Sequence, residues 1–127
     1  SEPELESKKL PDVVLSDDED WRKMFDSMEA VITGPRGTAR ALKRDLTFTI
    51  AGKTGTAQVV SIAQHEEYDS EALAERNRDH ALFVAFAPVE NPSIAIAVIV
   101  ENGESAGRTA GPIAKEVIQE YLLGAQG

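Results

Sequence analysis

A lysine, two hydroxyls and a glycine stand together at Lys53-Thr54-Gly55-Thr56, inside a run (residues 46–60) whose other members are mostly β-prone. Strands rarely carry an ammonium, two hydroxyls and a glycine together without a use for them. Gly52-Lys53-Thr54 is also the tail of the phosphate-cradling G-x-x-x-x-G-K-[ST] loop. Two features exclude that loop. Its leading glycine would fall where Thr47 stands, and Ala57-Gln58-Val59-Val60-Ser61-Ile62 reads as strand where a helix N-terminus is needed.

The cluster needs a scaffold, and 127 residues suffice for one domain. With 42% hydrophobic residues the chain has the composition of a folded protein. It has no cysteine, so an oxidising compartment puts no thiol at risk. No apolar run approaches the roughly 20 residues that span a bilayer, and no signal-peptide pattern opens the sequence. For an exported protein, the targeting segment is expected outside these residues. The net charge of −9 argues against nucleic acid as a partner. The charge is uneven: residues 1–29 hold ten acidic and four basic side chains, whereas residues 34–53 hold Arg36, Arg40, Lys43, Arg44 and Lys53 against Asp45 alone. That local positive field suits a ligand bearing a carboxylate, and a solvated basic helix face is the alternative.

Several elements must position the cluster. Residues 1–15, with Pro3 and Pro11, read as an extended lead-in to a body at 16–127. Ser16-Asp17-Asp18-Glu19 offers a capping box with Ser16 as cap, and Trp21, Met24, Phe25, Met28 and Val31/Ile32 form one apolar helical stripe ending before Gly34-Pro35. Gly34-Pro35-Arg36-Gly37-Thr38 is a turn, and Arg40-Ala41-Leu42 is a short helix or loop. Residues 63–79 read as a polar insertion, with helix expected at 70–76. Two near-continuous apolar runs, 80–88 and 93–101, predict an antiparallel hairpin covered on both faces. A last helix is predicted over 109–123 with Ile113, Val117, Tyr121 and Leu122 on its apolar face and Gly124 as stop. The fold class is α+β, an antiparallel meander with flanking helices.

Three segments carry a resemblance. Ile50-Ala51-Gly52-Lys53-Thr54-Gly55-Thr56-Ala57-Gln58, then Asp79-His80-Ala81-Leu82-Phe83-Val84-Ala85-Phe86-Ala87-Pro88, then Ala97-Val98-Ile99-Val100-Glu101-Asn102-Gly103 resemble, in order and spacing, the C-terminal part of a class B penicillin-binding protein transpeptidase domain. The nearest type is the elongation-specific penicillin-binding protein 2 of Gram-negative bacteria. The resemblance implies a β-lactamase/transpeptidase-like fold and D,D-transpeptidation of peptidoglycan stem peptides ending in D-Ala-D-Ala, with β-lactams acylating the same serine. It gives Lys53 a place in proton transfer and gives the Thr54 and Thr56 hydroxyls the substrate carboxylate. It makes the Thr56 N–H an oxyanion donor, and Gly55 the opening for substrate backbone. Elongation-complex membrane proteins are the implied partners, at the periplasmic face of the inner membrane. No cofactor and no metal are expected.

The family's other active-site motifs do not occur here. No serine is followed by Lys at the Ser-x-x-Lys spacing, and no Ser-x-Asn exists; Ser16-Asp17-Asp18 is the nearest approach and reads as a helix cap. The expectation is a C-terminal portion of an incomplete domain, inactive by itself, with the far edge of the 93–101 strand covered by other residues of the protein or a companion chain. The loop after Glu101-Asn102-Gly103 carries Glu104 and Ser105 where the family is commonly glycine-rich. His65 and His80 read as structural. The competing function is a non-catalytic penicillin-sensing or scaffold module of the same fold.

Overall fold

The computed structural model describes residues 9–59 and 78–124. The first helix, α1 (Asp18–Thr33), begins one residue later than a serine cap would place it. Asp17 is the N-cap, its Oδ1 accepting the Glu19 N–H at 2.9 Å. Aspartate caps as well as serine does, and Asp18, Glu19 and Asp20 put negative charge on the positive end of the helix. Most of the stripe predicted from spacing is packed: Trp21 lies tilted against Phe25 at 5.8 Å, Phe25 meets Phe86 edge-on at 5.1 Å, and Ile32 is fully buried, whereas Met24, also expected in the stripe, is 40% exposed. Gly37 N–H then closes the predicted turn on Gly34 C=O at 3.0 Å, and a short 3-10 helix follows at Arg40–Lys43.

The sheet has three antiparallel strands in the order β1 (Ala51–Ala57), β2 (His80–Ala87), β3 (Ile94–Val100). β1 is shorter than the β-prone run 46–60. Asp45 takes a left-handed φ of 58°, and Thr49 spends its side chain elsewhere, donating to Glu90 Oε2 at 2.6 Å and accepting Val89 N–H at 2.8 Å. Thr49 is thereby tied to the β2–β3 turn rather than to a ladder. The Thr49 bond, with a backbone hydrogen bond at Glu90, holds that exposed carboxyl below its ordinary range.

Strand alternation gives the sheet two unlike faces. Ala81, Phe83, Ala85 and Ala87 of β2 are buried on one, with Ile94, Ile96, Val98 and Val100 of β3 half-buried beside them under α2 (Ala110–Gly124). On the other face α1 packs against β1, and this cover does not extend to β3. Val84 is 44% and Ile99 66% exposed, so the expectation of cover on both faces holds for one face only among the described residues. The apolar face of α2 also differs from the prediction. Ala110, Gly111, Ala114 and Ile118 are buried, with Leu122 half-buried, while Ile113, Val117 and Tyr121 are exposed. Small side chains let the helix lie close to the sheet, which outweighs the larger hydrophobic area of the other stripe. The predicted insertion falls almost wholly outside the described residues, as do His65 and Val60.

Candidate active site

Lys53, Thr54, Gly55 and Thr56 all lie on β1, an edge of the described sheet, opposite Val84, Phe83, Leu82 and Ala81 of β2 respectively. The period of two puts Lys53 and Gly55 on one face and Thr54 and Thr56 on the other, all against a strand edge that has no partner among the described residues. Lys53 is exposed, and its ammonium donates to the Thr54 carbonyl at 2.6 Å. It forms no ion pair among the described residues. Arg36 and Lys53 line one groove of about 430 Å³, which also takes in Ser27, Ala30, Val31 and Thr38. A larger hollow of about 810 Å³ lies on the outer side of α2 between Val117, Tyr121 and Leu123, and none of its lining comes from β1.

The two glycines of the strand differ. A Cβ on Gly52 would stand 2.7 Å from Phe83 Cζ and 2.9 Å from Val84 O, so the fold itself demands that glycine. A Cβ on Gly55 would meet only Leu82, at 3.4 Å from its Cβ and 4.0 Å from its carbonyl, which is ordinary contact. Neither residue has a positive φ. The packing of the described residues gives no reason for Gly55 to lack a side chain.

Sequence reasoning missed two supports. Thr38 Oγ1 lies 3.0 Å from Thr54 Oγ1, a contact across 16 positions that no local pattern signals. At the other end of β1, the buried Asp79 accepts the Val59 N–H at 3.3 Å through Oδ1 and the Glu104 N–H at 2.9 Å through its carbonyl. Glu104 holds a left-handed φ of 55° there and faces Arg78 Nε at 3.2 Å, an ionic contact without hydrogen-bond alignment. The departure from a glycine-rich loop thus has a local conformation: a glutamate in a region glycine prefers, tethered by its neighbours. His80 Nδ1 accepts the Asn102 N–H at 2.9 Å, which ties the start of β2 to the loop after β3.

Residues 4–119 match the model of the penicillin binding protein transpeptidase domain. The chain belongs to that family. It is 54% identical over 106 residues to the peptidoglycan D,D-transpeptidase MrdA of Acinetobacter baumannii, covering 84% of this chain and 15% of that relative. The crystal structure of Pseudomonas aeruginosa PBP2 in complex with WCK 5153 superposes with a TM-score of 0.73 at 46% identity, covering 89% of this chain and 21% of that one. PBP2 of Helicobacter pylori, solved in complex with MreC, gives 0.66 at 32% identity over 84% of this chain and 18% of that one. The chain therefore spans less than a quarter of each of these three proteins, in the C-terminal part of the MrdA relative. With these matches, the helices and three-stranded antiparallel sheet are a portion of the β-lactamase/transpeptidase-like fold.

Proposed function

We propose that the chain is the C-terminal portion, with 1–15 as an extended lead-in and 16–127 as an incomplete transpeptidase domain, of a serine D,D-transpeptidase that cross-links peptidoglycan stem peptides during cell elongation and is acylated by β-lactams. The observation that carries the reading is Lys53-Thr54-Gly55-Thr56 on an edge strand of the described, family-matched sheet, where among the described residues the lysine has no ion pair and Gly55 is not required by packing. In this reading Lys53 serves proton transfer and draws the terminal carboxylate of D-Ala-D-Ala. The Thr54 and Thr56 hydroxyls bind that carboxylate, and Gly55 leaves room for the substrate backbone. The Thr56 N–H receives charge developing on the carbonyl oxygen, a contribution of about 3 kcal/mol for such a donor. Support for the last role comes from the place of Thr56 on β1, an edge strand with no outer partner among the described residues.

The nucleophile is supplied by residues outside this sequence, since no Ser-x-x-Lys occurs within it. The home of the protein is the periplasmic face of the inner membrane, with elongation-complex membrane proteins as partners; the MreC complex of the Helicobacter relative is the support for such a partner.

Labelling with a fluorescent penicillin tests the reading. The longer protein carrying this chain takes up label, Lys53→Ala slows uptake by about 100-fold or more, in the range of acid–base contributions, and the 127-residue chain alone takes up none. A stoichiometric adduct on the isolated chain, or a Lys53→Ala rate within threefold of wild type, would overturn it.

A further inference from the structure

We propose that Thr38 is a positioning residue for carboxylate recognition: its hydroxyl donates to Thr54 Oγ1 and so turns the proton of Thr54 outward to the ligand. The inference rests on the reading of Thr54 as a carboxylate-binding hydroxyl and adds a residue to that site.

The argument is one of counting protons. A hydroxyl has a single donor and two acceptor positions, whereas an ionised carboxylate only accepts. The Thr38 and Thr54 oxygens lie 3.0 Å apart, at the long end of hydroxyl hydrogen-bond distances, and in the free protein either can donate. Once a carboxylate takes the Thr54 proton, Thr54 can only accept from Thr38. The Thr38 proton has no other acceptor among the described residues. A chain of donation then runs Thr38 to Thr54 to carboxylate, in which each bond polarises the next.

The placement of Thr38 is enforced from both sides. A Cβ on Gly37 would fall 2.2 Å from Val31 O, and one on Gly107 would fall 2.4 Å from Thr38 O. The next residue, Ala39, is 1% exposed and donates its N–H to Val31 O at 3.1 Å. The backbone of Thr38 is thus wedged between the end of α1 and the loop before α2, while its side chain stays exposed beside the groove that Lys53 shares. A β-branched side chain on such a backbone has few rotamers.

The test uses the longer protein carrying this chain and compares second-order acylation rates for one β-lactam as its free acid and as its methyl ester. Thr38→Val, which keeps the shape and removes the proton, lowers the acid-to-ester rate ratio by about 3- to 10-fold, the span of one modest hydrogen bond. Thr38→Ser restores it, and Thr38→Val adds nothing further on a Thr54→Val background. Should the valine variant fail to fold, Thr38→Ala is measured against Thr38→Ser in the same way. An unchanged ratio in Thr38→Val, while Thr54→Val lowers it, would overturn the role of Thr38 and leave the reading of Thr54 standing. A ratio unchanged in Thr54→Val itself would overturn both.

Discussion

Replacing Gly55 by alanine separates a glycine kept for the fold from one kept for a ligand. The methyl would sit 3.4 Å from Leu82 Cβ with nothing else closer than the Leu82 carbonyl at 4.0 Å, and Gly55 has no positive φ to strain. A glycine inside a strand costs about 0.5 to 1 kcal/mol relative to alanine through the freedom of the unfolded chain. Gly55→Ala is therefore expected to leave the melting temperature of the protein unchanged or to raise it by a few degrees. Acylation should move the other way. A methyl forced into a close contact between packed groups costs about 1 to 3 kcal/mol, or roughly 5- to 150-fold in rate. Both quantities come from one preparation, by a thermal melt and by time-resolved labelling with a fluorescent penicillin. A variant that melts normally and labels at the wild-type rate would remove Gly55 from the site. One that melts many degrees lower would show that packing requires the glycine after all, contrary to the contacts around it.

The companion glycine should behave oppositely: Gly52→Ala drives a methyl against Phe83 and the Val84 carbonyl, at 2.7 and 2.9 Å, and should destabilise by about 1 to 3 kcal/mol in a melt. A neutral melt would show that the Phe83 ring can yield. At Thr56, the serine variant should keep most acylation activity and the alanine variant should lose about 10- to 150-fold, the worth of one hydrogen bond to a charged group. Thr56→Pro, which deletes the N–H, should be far slower than either, and proline acylating as fast as alanine would refute the oxyanion role. The Glu90 carboxyl, held low first by the Thr49 hydroxyl, should titrate at higher pH in Thr49→Val, as followed by carboxyl NMR. The sign is that of a depressed acid: the stabilising contact is present above the unfolded pKa and lost as pH falls through the folded one. An unmoved midpoint would assign the depression to the backbone bond instead.

Much of the fold is legible in the sequence because most of its elements are locally determined. The stripe of α1 follows from the spacing of Trp21, Phe25, Met28 and Ile32, and the hairpin follows from two apolar runs around a short turn at Pro88–Ser93. What escapes a local reading is decided by neighbours. The buried side of α2 is the Ala110, Ala114, Ile118 stripe because the sheet rewards close approach, while the bulkier Ile113, Val117 and Tyr121 stripe looks equally apolar in sequence. β1 begins only at Ala51 because Thr49 is drawn away by Glu90, which lies 41 residues later. The same holds at the candidate site. One strand supplies Lys53, Thr54, Gly55 and Thr56, and a pattern of types reveals them. The Thr38 contact and the Asp79 tether on Val59 depend on the return of the chain from α1 and β2.

Elsewhere the chain follows local rules in part: α1 is capped by Asp17, and the core is of aliphatic and aromatic side chains. β1 departs from them several times within four residues. Among the described residues it is an edge strand with no outer partner, it carries a lysine without an ion pair and a glycine that packing does not require, and it exposes Thr56. Each departure costs something in isolation, since glycine weakens a strand and an open edge invites unwanted pairing. Sequences concentrate such conflicts where function compensates for them. One extended ligand with a carboxylate would resolve all of them together, pairing the edge, meeting the lysine and filling the space over Gly55. A site serving only the stability of the sheet would have no use for that combination, which is why the four residues are read as one site.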